Sequence, residues 1–362
     1  MNLNGTSYNR SQILRTRVFL AGPKLGCQVP GDHRINPLVS VVVPTRGRPN
    51  LLGRALDSVF GQTYKDIETV VVVDGEDRDT RSILKAYQRN NPGIVIVSIP
   101  VSLGGSEARN IGIRKSTGKY IALLDDDDEW LPLKLERQIE FIIKENLEHF
   151  VVSCKYIERA VDRQFVLPRV SPTPHQRIDE YFFCREGLGV SGSLQTSTLL
   201  FPRELALRIP FDRGLERGQD LAWMMKSAHD GGARFHLVPE ILSYYNNGSF
   251  TDRAQMSKRP NWRSLFDWVN LNKQYFTSKS YAYCLHQNVL NDAIRSKAKL
   301  LDRMRIISYG SIYGRPDFKC IALMLYRLLV PAGLRARFSS WLRLLEQRND
   351  GTQTFSRSRS SM

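Results

Sequence analysis

Four short apolar runs, mostly β-branched, punctuate the first third of the chain: Leu38–Val43, Ile67–Val73, Ile94–Ile99 and Tyr120–Leu124. A run with no polar alternation is what a strand covered on both faces requires. Segments of helical spacing separate them. Leu51–Phe60 places Leu52, Ala55, Leu56 and Val59 on one side, and Arg81–Asn90, Gly105–Ser116 and Pro132–Glu145 read as further helices. Strands alternating with helices predict an α/β fold, with a mostly parallel central sheet flanked by helices. Ligands of such folds bind outside the carboxyl ends of the strands.

Beyond Phe150 the alternation loosens. Phe150–Tyr156 and Ser197–Phe201 read as strands, Leu221–His229 as a helix, and His236–Pro239 and Leu242–Tyr245 as short strand pieces. Pro168–Pro174 reads as a loop. From about Arg253 the chain is basic, aromatic and helical in pattern. The organisation expected is a variable lead-in over 1–36, a catalytic domain over 37–252, a helical basic extension over 253–348 and a disordered tail over 349–362.

Composition removes several classes. The five cysteines are dispersed and odd in number, with no CxxC pair, so a disulfide scaffold or zinc site is not expected and a reducing cytoplasm fits. No run of about 18 apolar residues is present, so no spanning helix is expected. The net charge of +16 invites a nucleic-acid reading. Residues 255–362, however, hold 19 Lys/Arg against 6 Asp/Glu, so +13 of that charge lies in the last third. No zinc-finger, helix-turn-helix or RNA-recognition signature accompanies it, and no nucleic-acid partner is expected.

The polar features of the first half follow the predicted strands: Pro44–Pro49 after the first, Asp74–Asp77 after the second and Asp125–Asp128 after the fourth. In a parallel sheet these ends converge on one rim. Carboxylates gathered there repel one another unless a cation sits among them. Mg²⁺ or Mn²⁺ takes oxygen ligands, typically a few carboxylates completed by substrate phosphates. The acidic cluster therefore points to a divalent cation and a bound diphosphate.

VSVVVPTRGRPNLLGRALDSVFGQTY, VVVVDGEDRDT and GGSEARNIGIRKSTGKYIALLDDDDEWLPLKLERQ, in this order and spacing, resemble the family 2 glycosyltransferases. The similarity continues more weakly through STLLFPRELALRIPFDRGLERGQDLAWMMK and PEILSYYNNGSFTDR, covering about 37–250. The resemblance implies a GT-A fold and an inverting, metal-dependent transfer from a nucleoside-diphosphate sugar, UDP being the usual carrier. It places Asp74 on the ring N–H of the donor's base, with Pro44 and Thr45 lining that pocket. Arg109 falls by the diphosphate. Asp125 faces the ribose or the metal, Asp126 adjoins the donor, Asp127 is the metal ligand and Asp220 is the general base. Two positions depart from the family pattern. The second motif is VDGED rather than a doubled Asp followed by GS, and Gln219 replaces the Glu that commonly precedes the base. Processive members of the family carry several membrane spans, so single additions are expected, to a saccharide or lipid-linked acceptor.

Plainer readings stand beside these. Asp128 fits a cap of the helix near Pro132, Asp74 a turn residue, Arg109 a helix-surface charge and Asp220 an N-cap of Leu221–His229. Trp130 and Trp223 fit the core, and Gly104–Gly105 a turn. A nucleotidyltransferase and a non-catalytic sugar-nucleotide-binding scaffold are the rival functions; PTRGRP is a poor match to the phosphate loop of the former. In Ile321–Leu329 and Leu334–Leu345, Arg327, Arg335, Arg337 and Arg343 flank Leu, Phe338 and Trp341 at helical spacing. That pattern suits either an interfacial helix on an anionic membrane or a helix packed on the catalytic domain.

Overall fold

The computed structural model describes residues 36–159, 164–173, 175–184, 192–215, 218–246, 261–330 and 333–334. The expectations for the lead-in, for Arg335, Arg337, Phe338, Trp341 and Arg343, and for the tail lie outside them.

The predicted alternation is present. Strands β1 (Val39–Thr45), β2 (Ile67–Asp74), β3 (Ile94–Ile99) and β4 (Tyr120–Leu123) are separated by helices α1 (Pro49–Phe60), α2 (Arg78–Asn90) and α3 (Gly105–Lys115). β1 is buried at every position, Ser40 and Thr45 included, as a strand covered on both faces must be. α1 opens on a proline and buries Leu52, Ala55, Leu56 and Val59. α3 lies so close to the sheet that a Cβ on Gly112 would stand 2.4 Å from Val42 Cγ1.

The remaining strands are β5 (Glu129–Trp130), β6 (Phe150–Arg159), β7 (Gln164–Leu167), β8 (Leu200–Pro202) and β9 (Arg234–Asn246). Their order is β3-β2-β1-β4-β8-β6-β9-β5, with β7 beside β6. Pairing is parallel from β3 to β4 and between β6 and β9, and antiparallel at β8, β5 and β7. The chain steps from β1 to β2 on one side and returns to β4 on the other. The gap between the carboxyl ends of β1 and β4 is therefore the switch point where α/β sheets bind ligands.

Several sequence expectations shift. Helix α4 begins at Lys134 rather than Pro132 and ends at Lys144. The strand expected at Ser197 starts at Leu200; Thr196–Thr198 form a single 3₁₀ turn. The two pieces expected in 236–245 are one strand, β9, with register irregularities opposite Cys154–Tyr156. Short helices α5 (Ile178–Phe183) and α6 (Arg203–Arg208) precede α7 (Gln219–His229).

From Trp262 to Leu329 the described chain is helical: α8 (Trp262–Leu271), α9 (Ser278–Tyr283), a π-helical turn Cys284–Val289, α10 (Leu290–Arg295), α11 (Leu300–Ile312) and α12 (Phe318–Leu329). Phe266, Val269, Tyr283, Leu285, Leu290, Ile306 and Met324 share one apolar core with Val42, Ile121, Leu123 and Trp223 of the sheet layer. Asp179 of α5 fastens the junction, accepting hydrogen bonds from Thr277 N (2.8 Å) and Ser280 Oγ (2.6 Å). The described helices from 262 to 330 thus share a core with the α/β layer on one side, which leaves open what their outer faces meet.

Candidate active site

The three polar loops meet at the switch point. Pro44 and Thr45 end β1 and pair with Val72 and Val73 of β2, both side chains buried. Three residues on, Arg48 reaches across to the acidic turn after β4. Its NH1 donates to Asp127 Oδ2 (2.9 Å), and its NH2 lies 2.6 Å from Asp126 Oδ1. One turn into α3, Arg109 donates through NH2 to Asp125 Oδ1 (2.5 Å) and through NH1 to Gln219 Oε1 (2.9 Å). Two guanidiniums therefore face three consecutive carboxylates, all nearly inaccessible to solvent.

Asp126 is the most constrained of the three. Burial, reinforced by Asp127 and Asp125 and opposed by Arg48, pushes its carboxyl up to about 7. No hydrogen bond of ordinary geometry reaches its buried oxygens among the described residues: Arg48 approaches as an ion pair, and the Thr45 hydroxyl acts only to favour the ionised form. Buried carboxylate oxygens held by an ion pair rather than by hydrogen bonds suit a hard divalent ion in chemical type. No three His, Cys, Asp or Glu side chains among the described residues converge on one point, however. A cation here would take few protein ligands and complete its shell from the substrate.

Asp128, though adjacent, does something else. Its Oδ2 accepts from Gln195 Nε2 (2.7 Å) and Ser197 Oγ (2.7 Å), and its Oδ1 from Asn246 N (3.1 Å). It ties the acidic turn to β9 and to the 3₁₀ turn and does not cap α4, whose N-cap is Leu133 with no side-chain bond.

The 3₁₀ turn is the hub that sequence reading missed. Ser197 Oγ accepts from Asp125 N (3.0 Å), and Ser197 O accepts from Trp130 Nε1 (2.6 Å). Thr196 Oγ1 donates to Asp220 Oδ2 (3.0 Å). Asp220 sits in the first turn of α7, whose N-cap is Gly218 in a left-handed conformation (φ 69°), so Asp220 is not the cap. Its Oδ1 accepts from Leu221 N (2.9 Å). Nothing in the string QTST marks this role. Arg48 did carry a signal, since it follows β1 as the acidic turn follows β4.

Asp74, at the end of β2, holds the loop after β3. It accepts from Ser102 Oγ (2.7 Å), Leu103 N (2.7 Å) and Gly104 N (3.0 Å). Gly104 has φ 85° and opens α3, as the turn reading anticipated. A Cβ on Gly105 would stand 2.9 Å from Gln219 Oε1 and 3.1 Å from Arg109 NH1, so a side chain there would press on the pair. Trp130 and Trp223 belong to the core. Trp223 stacks on Phe211 at 5.0 Å, and Trp130 covers the buried ammonium of Lys134 at 4.0 Å.

With this geometry in place, comparison with known proteins settles the family. The sequence profile of Glycosyl transferase family 2 matches residues 40–193. An uncharacterized glycosyltransferase of Rickettsia typhi is 36% identical over 231 residues, covering 62% of this chain and 69% of that protein. The chain belongs to glycosyl transferase family 2. It is a glycosyltransferase, and its architecture is α/β. The amylovoran biosynthesis glycosyltransferase AmsB of Erwinia amylovora is 29% identical over 255 residues, 67% of this chain and 81% of that protein. The putative teichuronic acid biosynthesis glycosyltransferase TuaG of Bacillus subtilis is 25% identical over 254 residues, 68% of this chain and 93% of that protein. Family membership leaves the roles of individual side chains to be argued from the site.

Proposed function

We propose that this site transfers a single sugar, with inversion, from a nucleoside diphosphate (UDP the expected carrier) to a hydroxyl of a saccharide or lipid-linked acceptor in surface polysaccharide synthesis. The observation that carries the reading is the pairing of Arg48 and Arg109 with Asp125, Asp126 and Asp127 at the switch point, with Asp220 joined to them through Thr196 and Ser197. The relatives named for amylovoran and teichuronic acid synthesis support the acceptor class.

Each residue has a task in this reading. Asp127, with Asp125, would hold a Mg²⁺ or Mn²⁺ ion, which when bound neutralises charge on the leaving diphosphate. Arg109 lies beside Asp125, and its buried Nε has no partner among the described residues, so it retains a donor for a phosphate oxygen. Arg48 neutralises Asp126 and Asp127 in the absence of donor and is free to swing toward the diphosphate. Asp74 has three of its roughly four acceptor positions taken, leaving one on Oδ1 for an imide N–H of the base, above Pro44 and Thr45. Asp220, held by Thr196, is placed to take the acceptor hydroxyl's proton as that oxygen attacks the anomeric carbon.

A thermal-shift panel of UDP, GDP, CMP and dTDP, each with and without Mn²⁺, tests the donor half. One nucleotide should raise the midpoint in a Mn²⁺-dependent way in the wild type and not in Asp127→Asn. No shift from any of the four, with folded protein, would overturn the reading in favour of a non-catalytic scaffold.

A further inference from the structure

Helix α12 turns an apolar face to solvent. Its inner side buries Cys320 and Met324. Its outer side carries Phe318, Ile321, Leu325, Leu328 and Leu329, spaced along one helical stripe, with Phe318 87% and Leu329 77% exposed. A helix on a protein surface ordinarily presents polar residues there. Helix α11, packed against the same π-helical turn, exposes Leu300, Leu301, Met304 and Ile312.

The charge of the segment that carries α11 and α12 is one-sided. Between Arg295 and Val330 there are eight Lys/Arg and two Asp. Both acids are engaged: Asp302 pairs with Arg263 (3.3 Å), and Asp317 accepts from Cys320 N and Tyr283 Oη (each 2.8 Å). Lys297, Lys299, Arg305 and Arg315 are exposed.

We infer that α12 docks in the plane of an anionic lipid bilayer, its apolar stripe among the acyl chains and its flanking cations at the headgroups. At 12 residues, α12 is about 18 Å long, well short of the ~30 Å hydrocarbon core, and no described helix is long and apolar enough to cross a membrane. A second copy of the chain is the poorer occupant. A two-fold contact through this face would bring two strongly cationic arrays together. The inference rests on the surface alone and is independent of the donor-site reading. Docking would hold the site beside an acceptor carried on lipid.

Cosedimentation of the full chain with phosphatidylglycerol/phosphatidylcholine vesicles, and with phosphatidylcholine alone, tests it. The chain should bind the anionic vesicles, less strongly as salt rises, and weakly or not at all the neutral ones. Phe318→Ser/Leu325→Ser/Leu329→Ser should cut binding by at least about tenfold, because each lost side chain removes apolar burial. Its thermal midpoint should hold, the three positions being exposed. Lys297→Glu/Arg315→Glu leaves the stripe intact and should also weaken binding, which keeps the test decisive if the triple variant misfolds. Equal binding to both vesicle types, or anionic binding untouched by both variants, would overturn the inference. So would failure to bind vesicles combined with a dimer that the triple variant dissociates in sedimentation velocity.

Discussion

Asp127 and Asp128 are the same residue type at adjacent positions, yet the structure predicts opposite consequences for removing them. Asp128→Ala strips the acceptor from three donors, Gln195 Nε2, Ser197 Oγ and Asn246 N, in a fully buried setting. Each donor left unsatisfied costs about 1–3 kcal/mol, partly offset because a buried carboxylate no longer has to be desolvated. A net loss of about 3–5 kcal/mol follows, which at roughly 2 °C per kcal/mol for a chain of this size lowers the midpoint by about 6–10 °C. Asp127→Ala breaks an ion pair to the partly exposed Arg48 and removes a like charge next to Asp126. Asp127 is buried, but Arg48 is 30% exposed and keeps Asp126 as a partner, so the loss is small, about 0–1 kcal/mol, and relief of repulsion acts in the opposite direction. Its midpoint should therefore stay within about 2 °C of wild type. Calorimetry of both variants in EDTA, followed by titration with UDP and Mn²⁺, separates the roles. Asp128→Ala should be unstable, and Asp127→Ala stable but unable to bind the nucleotide with metal. Equal destabilisation by the two, or a stable Asp128→Ala, would refute the division of labour.

Three further outcomes follow from named contacts. Thr196→Val removes the hydroxyl that donates to Asp220 while keeping shape, so kcat should fall by about tenfold or more with donor KM and midpoint little changed; unchanged kcat would detach the turn from catalysis. Gly112→Ala drives a methyl to 2.4 Å from Val42 Cγ1 and 3.2 Å from Val72 Cγ2, and urea unfolding should show a loss of about 1–3 kcal/mol. Burial depresses the Lys134 ammonium to about 8, below its unfolded value, so between pH 8 and the ordinary lysine value the unfolded chain binds more protons and this group makes stability rise with pH. Below that window its penalty is fully present. Lys134→Met also strands the buried Gln138 Oε1 that the ammonium serves, so its absolute effect is mixed, but its stability relative to wild type should fall by on the order of 1–3 kcal/mol from pH 7 to pH 10, as denaturation at both pH values would show.

What the sequence made legible follows from the range of the interactions involved. β1, β2 and β4 were readable because a strand buried on both faces needs a nearly unbroken apolar run, and that requirement is local; β3 has the same kind of run but is the half-covered edge strand. The rim was readable for the same reason: Asp74 and Asp125–Asp128 each directly follow such a run, and the parallel pairing of β2, β1 and β4 then carries them to one end. The boundary between structural and functional acids was not readable. Asp128 is distinguished from Asp127 by partners at 195 and 197, on a turn whose sequence looks like the start of the strand after it, and at 246, the end of β9. Arg48 was legible only in part: its place after β1 put it on the rim, but its partners lie 78 and 79 residues away. The outer face of α12 shows the converse limit. Its periodicity was visible, but the burial of Cys320 and Met324 decides which side faces out, and that side is the apolar one. Periodicity announces a helix with two unlike faces. Only the packing of the chain beneath it says which face is left for something else to cover.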